Sequence, residues 1–93
     1  MSSEQYEAII EGILFTMGES VEISKLAAAL DLDKDKVREL VHQMMERYAC
    51  EDRGIQVIEI EDSVQMCTKK ELYEYLIKIA RQPKRHVLTD VLL

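Results

Sequence analysis

Several residue types that mark particular protein classes are scarce or missing in this 93-residue chain. Tryptophan is absent, proline occurs once and glycine three times. With 47% hydrophobic and 32% charged residues, this composition excludes a disordered chain and favours a compact, helix-rich domain. A chain of this length can bury one core of helices and a small sheet without covalent staples, and it leaves no room for a second domain.

The residues that form metal and catalytic sites are also few. Cys50 and Cys67 are not in CxxC spacing, and they do not cluster with His42 or His86, so we expect reduced thiols and no metal site. The sequence contains no glycine-rich phosphate loop, no HExxH motif, no nucleophile elbow and no paired carboxylates in an apolar setting. We therefore predict that the protein is not an enzyme and binds no cofactor.

Long apolar runs and positive charge are lacking as well. No run approaches the roughly 20 residues of a membrane span, and residues 1–10 lack the basic start of a signal peptide, so we expect a cytoplasmic protein without membrane contact. Residues 1–77 hold 8 Lys and Arg against 17 Asp and Glu. Because non-specific DNA affinity comes mostly from cations that neutralise phosphates, this body is a poor partner for nucleic acid.

The stretch over residues 23–48 predicts a short helix, a four-residue turn and a longer amphipathic helix that runs from Lys34 to about Cys50. Asp31 suits the left-handed backbone of a helix exit, and Asp33 is expected to cap the second helix through its side chain. Apolar residues of this second helix recur at helical spacing and are predicted to face the core. They are Val37, Leu40, Val41, Met44, Met45 and Tyr48.

The remaining elements are predicted to pack around this helix pair. In chain order they are a helix over Glu4–Met17, a short strand over Ser20–Ile23, hairpin strands over Ile55–Ile60 and Val64–Thr68, and a helix from about Lys69 that ends before Pro83. We place the hairpin tip at Asp62-Ser63. Ile58 directly follows Val57, so either a bulge re-aims the strand or one apolar side chain is exposed. This order predicts an α+β, mainly α, winged helix with a helix-turn-helix, a short strand and a two-stranded wing.

Apolar residues outside the single core stripes are candidates for a protein interface, because buried aromatic and aliphatic anchors supply most interface energy. They are Phe15, Ile58, Tyr73 and Ile77. For Phe15 we expect burial in the core from another direction first, with an interface as the alternative. On the last helix, the stripe expected to face the core comprises Leu72, Tyr75, Leu76, Ile79 and Ala80.

The second helix and the wing are the elements with which winged helices commonly contact DNA. Over residues 33–47 the helix carries four cationic and four acidic side chains, and the wing adds Glu59, Glu61 and Asp62. The plausible donors to nucleic acid are Arg38, His42, Gln43 and Arg47. We expect His42 to be a solvated surface residue, and we rank DNA binding below protein binding.

Several segments resemble ScpB, the bacterial segregation and condensation protein B. The matching segments, in order, are residues 8–15 (AIIEGILF), 18–21 (GESV), 26–32 (LAAALDL) with Val37 and Leu40, 54–55 (GI), 64–68 (VQMCT) and 87–93 (VLTDVLL). The last of these is similar to the segment that leads into the second winged helix of that family. The resemblance extends over essentially the whole chain.

The resemblance implies that residues 1–82 form an N-terminal winged-helix domain and residues 83–93 a linker and the start of a second one. It also implies a non-enzymatic subunit of a condensin-like SMC-kleisin complex in chromosome condensation and segregation. Such a subunit forms a homodimer, binds the kleisin ScpA and through it an SMC ATPase, and is associated with the nucleoid. The alternative is a winged-helix transcriptional regulator that binds DNA.

Overall fold

The computed structural model describes residues 1–80, and its order of elements is that of a winged helix. The elements are α1 (Ser3–Met17), β1 (Val21–Glu22), α2 (Ile23–Leu30), α3 (Lys34–Arg47), β2 (Ile55–Ile60), β3 (Ser63–Thr68), a 3-10 turn (Lys70–Leu72) and α4 (Tyr73–Ala80). The strands form one antiparallel sheet in the order β1, β3, β2. The predicted fold class is confirmed, and the predicted segment 83–93 lies outside the described residues.

Helix α1 has clear sequence signals at both ends. At its start the Gln5 N–H donates to Ser2 Oγ and the Ser2 N–H donates to Gln5 Oε1, which satisfies two N–H groups reciprocally. At its end Gly18 has a φ of 70°, which glycine adopts without strain, and its N–H donates to the Leu14 carbonyl. Both predicted ends are within one residue of those observed.

The turn between α2 and α3 also follows the prediction, except at its cap. Asp31 has a φ of 59° in the left-handed region, and the Leu32 N–H donates to the Ala27 carbonyl. Asp33 occupies the N-cap position, but its side chain makes no capping hydrogen bond, so that prediction was wrong. The start of α3 is exposed, and water can therefore satisfy the N–H groups that the carboxylate leaves unbonded.

The buried core is formed by α1, α2, α3 and the inner face of the sheet. The predicted stripe of α3 faces this core, and only Met45 in it is partly exposed. Helix α3 ends at Arg47, a little before the predicted Cys50. Its fully buried neighbours from other elements are Ile10, Leu14, Ile23, Leu26 and Val64. The helix-turn-helix pair is therefore the centre of the packing, as its periodicity predicted.

The strands of the wing pair in a continuous register from Ile55↔Thr68 to Ile60↔Ser63, without a bulge. Of the two alternatives left open for Ile58, the second holds: its side chain lies on the outer face of the sheet and is partly exposed. Ile60, on the same face, is 48% exposed. The wing thus has an apolar outer face as well as a buried inner one.

The predicted hairpin tip at Asp62-Ser63 was wrong by one residue. Ser63 pairs with Ile60, so the two-residue loop is Glu61-Asp62. Two-residue hairpin loops require a positive φ, and Glu61 supplies it with a φ of 56°. No glycine or asparagine marks that position, which explains why turn chemistry in the sequence pointed one residue further on.

The last helix does not pack against the core, contrary to the prediction for its apolar stripe. No residue of α4 is buried, and Tyr75, Leu76 and Ile79 are 56%, 44% and 61% exposed. Within the described residues α4 lies mainly against the 3-10 turn, which is held beside Gly54 by the Lys69 N–H donating to the Gly54 carbonyl. Helical spacing identifies an amphipathic helix, but it does not specify what covers the apolar face.

Tyr48 joins α1 to the end of α3. Its hydroxyl donates to Glu11 Oε2, its ring is buried, and the guanidinium carbon of Arg53 lies 5.8 Å from the ring centroid. Burial, followed by the neighbouring Glu11 carboxylate, raises the pKa of Tyr48 from 10.0 to about 12.

We expect Tyr48 to titrate near pH 12 instead of near the ordinary tyrosine value of 10.0. Because the raised pKa belongs to the folded state, the stability it provides is complete below pH 10 and is lost between pH 10 and about 12, on the order of 2 kcal/mol. Tyrosinate absorbance should show one of the four tyrosines ionising late, and Tyr48→Phe should remove that step alone. Loss of a different step would contradict the assignment.

Candidate protein and nucleic-acid interfaces

The side chains on the wing side of α3 are engaged with acidic residues of the wing. Arg38 Nη2 lies 2.7 Å from Asp62 Oδ1, and Arg38 Nε lies 3.9 Å from Glu59 Oε2. His42 Nε2 lies 2.8 Å from Glu59 Oε1. Phosphate contacts normally require cationic side chains that are free to reach the backbone of DNA. Here two of the four predicted donors, Arg38 and His42, already have carboxylate partners on the wing.

Arg47 is directed at α1 instead of the wing. Its Nη2 lies 2.9 Å from Glu7 Oε1, and Glu7 is 3% exposed. The geometry is that of an ion pair without an aligned hydrogen bond, and this oxygen has no other partner among the described residues. Gln43, the fourth predicted donor, is exposed on α3. The structure therefore does not assemble the four donors into one basic face.

The prediction for His42 was incomplete. Its side chain is 59% exposed, as expected of a surface residue, but the bond to Glu59 was missed. The sequence contained an indirect signal for this contact, because an acidic wing follows a helix whose outer face carries cations. The pairing itself joins residues 17 apart in the chain, and only the fold shows which cation meets which acid.

Phe15 is 79% exposed, so the expectation that it is a core residue was wrong. Within residues 1–80, no element packs over the side of α1 that carries it. An uncharged, exposed strip of α1 begins at Phe15, whose other side is bordered by Glu4 and Glu11. The strip comprises Gln5, Ala8, Ile9, Gly12, Phe15 and Thr16. Small residues at its centre leave room for another element to approach the α1 backbone closely, because a Cβ on Gly12 would meet nothing within 4 Å.

The other three interface candidates lie on two further elements. Tyr73 and Ile77 are 51% and 50% exposed on α4, while Ile58 is partly exposed on the outer face of the wing. The four candidates thus lie on three different elements, α1, the wing and α4. The apolar surface of α4 is wider than predicted because Tyr75, Leu76 and Ile79 add to it.

A groove of about 670 Å³ lies beside β2, and sequence reasoning missed it. Met45 and Ala49 form one side, Leu72 of the 3-10 turn closes one end, and consecutive residues of β2 form the other side. Two of its lining residues, Met45 and Leu72, were instead predicted to face the core.

Among residues 1–80, no group of three or more His, Cys, Asp or Glu side chains is placed to hold a metal ion. Cys50 and Cys67 are free thiols. In the same part of the chain, no helix has the length and apolar character required to cross a membrane.

Comparison with known proteins relates this chain to one family. The family model of the segregation and condensation complex subunit ScpB matches residues 8–93. Segregation and condensation protein B of Lachnoclostridium phytofermentans is 55% identical over 93 residues, which are 100% of this chain and 49% of that protein. The protein of the same name from Agathobacter rectalis is 49% identical over 89 residues, covering 95% of this chain and 48% of its own length. The chain thus spans about half the length of these relatives.

Two solved structures have the same fold. A dimer of an ScpB N-terminal domain complexed with an ScpA peptide matches with a TM-score of 0.78 and 30% identity, over 82% of this chain and 95% of that one. ScpB from Mycobacterium tuberculosis matches with a TM-score of 0.78 and 20% identity, over 85% of this chain and 49% of that one. At 20% identity the second match concerns the fold alone.

Proposed function

Because this chain belongs to the family of the segregation and condensation complex subunit ScpB, we propose that it is a non-enzymatic subunit of an SMC-kleisin complex. It acts in chromosome condensation and segregation, in the cytoplasm at the nucleoid, through contacts with proteins. This proposal rests on which side chains of the domain are available to contact another molecule. Arg38, His42 and Arg47 of α3 are paired with carboxylates of the same domain, whereas large apolar side chains are exposed on α1 and α4.

The partners proposed are a second copy of the chain, the kleisin ScpA and, through the kleisin, an SMC ATPase. The solved relative that is a dimer of an ScpB N-terminal domain complexed with an ScpA peptide supports the first two. Residues 1–82 are the N-terminal winged-helix domain in this proposal, and residues 83–93 are the linker and the start of a second one. Phe15, Ile58, Tyr73 and Ile77 are the proposed contact residues.

A winged-helix DNA-binding regulator is the second candidate, and the fold alone permits it. The pairing of Arg38 and His42 with wing carboxylates opposes it, because reaching phosphates would require breaking these contacts. Glu61 and Asp62 form the tip of the wing, where a DNA-binding wing would approach the duplex. The net charge of −6 also opposes DNA binding, because it repels the phosphate backbone at long range.

Sedimentation equilibrium tests self-association. We expect a dimer at micromolar concentration, and we expect Phe15→Glu to weaken it on the order of tenfold or more, because a charge would replace an apolar anchor. Gln43→Glu is the matched control, since it adds the same charge on exposed α3. A monomer for the unsubstituted chain across this range would contradict the proposed dimer.

The same preparations distinguish the two candidate functions when they are titrated with mixed duplex DNA at low salt. We expect no salt-dependent binding. Tight binding that weakens steeply with salt, and that is lost in Arg38→Ala, would instead support the DNA-binding regulator.

A further inference from the structure

Strand β2 has an open edge. In the order β1, β3, β2 it is the outermost strand of the wing, and within residues 1–80 no strand pairs with its outer side. Alternate residues of an antiparallel strand direct their N–H and C=O groups to the same neighbour. Because the Gly54 carbonyl accepts from the Lys69 N–H, residues 54, 56, 58 and 60 face β3. The backbone groups of Ile55, Val57 and Glu59 are therefore directed to the open side.

The groove of about 670 Å³ runs along this edge. It is lined by Gln56, Val57 and Ile58, three consecutive residues whose side chains alternate between the two faces of the sheet. A groove that is lined by all three residues must therefore lie beside the edge of the strand, not over one face of the sheet. Edge strands are normally protected by proline, lysine, a bulge or a cover. The sequence of β2, IQVIEI, contains no proline or lysine, and its register has no bulge.

We propose that this groove binds an extended peptide segment of a partner protein, which adds to β2 as a further strand. The inference rests on the proposed function, since the partner we assign is the kleisin subunit. Backbone hydrogen bonds would form to Ile55, Val57 and Glu59. An apolar side chain of the segment would lie against Met45 and Leu72.

The charges at the rim specify the peptide further. Glu51 and Glu71 line the groove and form no ion pair among the described residues. Two cations also line the rim: Lys69 Nζ donates to the Cys50 carbonyl, and Arg53 lies over the Tyr48 ring. A lysine or arginine beside the apolar residue of the segment would therefore pair specifically with Glu51 or Glu71.

A second copy of the chain is the other candidate occupant of this edge. In antiparallel pairing centred on Val57, Glu59 of one copy would lie opposite Ile55 of the other, and Glu61 opposite Arg53. In-register parallel pairing would place Glu59 opposite its own counterpart, and like charges in that arrangement destabilise strand pairing. Protection of the Ile55 and Glu59 amides that needs no peptide and rises with protein concentration would assign the edge to a second copy and overturn the proposal.

Amide hydrogen exchange on the full chain tests the proposal directly, with overlapping peptides spanning the cognate kleisin ScpA as probes. In the free protein, the amides of Gln56, Ile58 and Ile60 should be protected by β3. Binding of one peptide should slow exchange at Ile55 and Glu59 on the order of tenfold or more. If a peptide binds without protecting these two amides, the edge site is wrong and the proposed function stands. If no peptide binds, the kleisin contact of the proposed function fails as well.

A groove-filling substitution provides a second readout. Ala49→Arg places a long side chain in the groove from an exposed position, and we expect it to weaken peptide binding on the order of tenfold. Ala29→Arg is the matched control, because Ala29 is exposed on α2 and does not line the groove. Circular dichroism checks that both variants are folded. Equal affinities for the two variants would overturn the assignment of the groove.

Discussion

Truncation of Leu40 to alanine is expected to lower the free energy of unfolding by about 3 kcal/mol. Leu40 is 0% exposed, and it lies on α3, the element that packs against α1, α2 and β2. The substitution removes buried apolar contacts and leaves a cavity that three rigid neighbours cannot fill by collapsing. Urea denaturation followed by circular dichroism measures the change. In a domain whose total stability is on the order of 5–10 kcal/mol, the unfolded population should become readily detectable.

The matched control for Leu40→Ala is Gln43→Ala, one turn further along the same helix and exposed. It should change the unfolding free energy by no more than about 0.5 kcal/mol. Similar denaturation midpoints for the two variants would show that α3 is not the centre of the packing.

The second large effect is expected for Arg47→Ala, which should destabilise the fold by about 2–3 kcal/mol. The substitution leaves the Glu7 carboxylate, 3% exposed, without the cation that lies 2.9 Å away. The Arg47 side chain is itself 50% exposed, so the loss is smaller than for a fully buried pair. The measurement is again denaturant unfolding, here combined with a double-mutant cycle that includes Glu7→Met.

In that cycle, Glu7→Met in the Arg47→Ala background should recover much of the lost stability, because it removes the unpaired carboxylate. Lys36→Ala is a contrasting control. It removes the surface pair of Lys36 with Glu39, at 3.5 Å, and should cost at most about 0.5 kcal/mol. Additive effects of the two substitutions at Arg47 and Glu7 would contradict a specific pair.

Local signals in the sequence predicted local structure well. The end of α1 follows from Gly18 and the exit of α2 from Asp31, because these residues adopt a positive φ. The capping box of Ser2 and Gln5 at the start of α1 was not predicted. The stripe of α3 followed from spacing alone. Helix α4 shows the limit of this reasoning. Its pattern predicts an apolar face correctly, but burial depends on which other element reaches that face.

For the surface formed by α3 and the wing, the charge could be predicted from the sequence, but the side-chain contacts could not. A net-neutral α3 and an acidic wing could be counted in the sequence, and they argued against DNA binding before the fold was known. The partners of Arg38 and His42 are 24 and 17 residues away, respectively, and depend on the register of the hairpin. The open edge of β2 was invisible for the same reason. Whether a strand lies at the edge or in the centre of a sheet depends on the strand order, and no local sequence pattern encodes that order.

The lack of a side chain at Gly54 has a consequence for the far end of the domain. A Cβ at this position would lie 3.2 Å from Leu72 Cδ1, so glycine allows the start of β2 and the 3-10 turn to come close together. Helix α4 follows that turn without interruption. A methyl group at residue 54 would require the Leu72 side chain to shift by a few tenths of an ångström. The close packing of the 3-10 turn, and with it the start of α4, against the beginning of β2 therefore depends on this glycine.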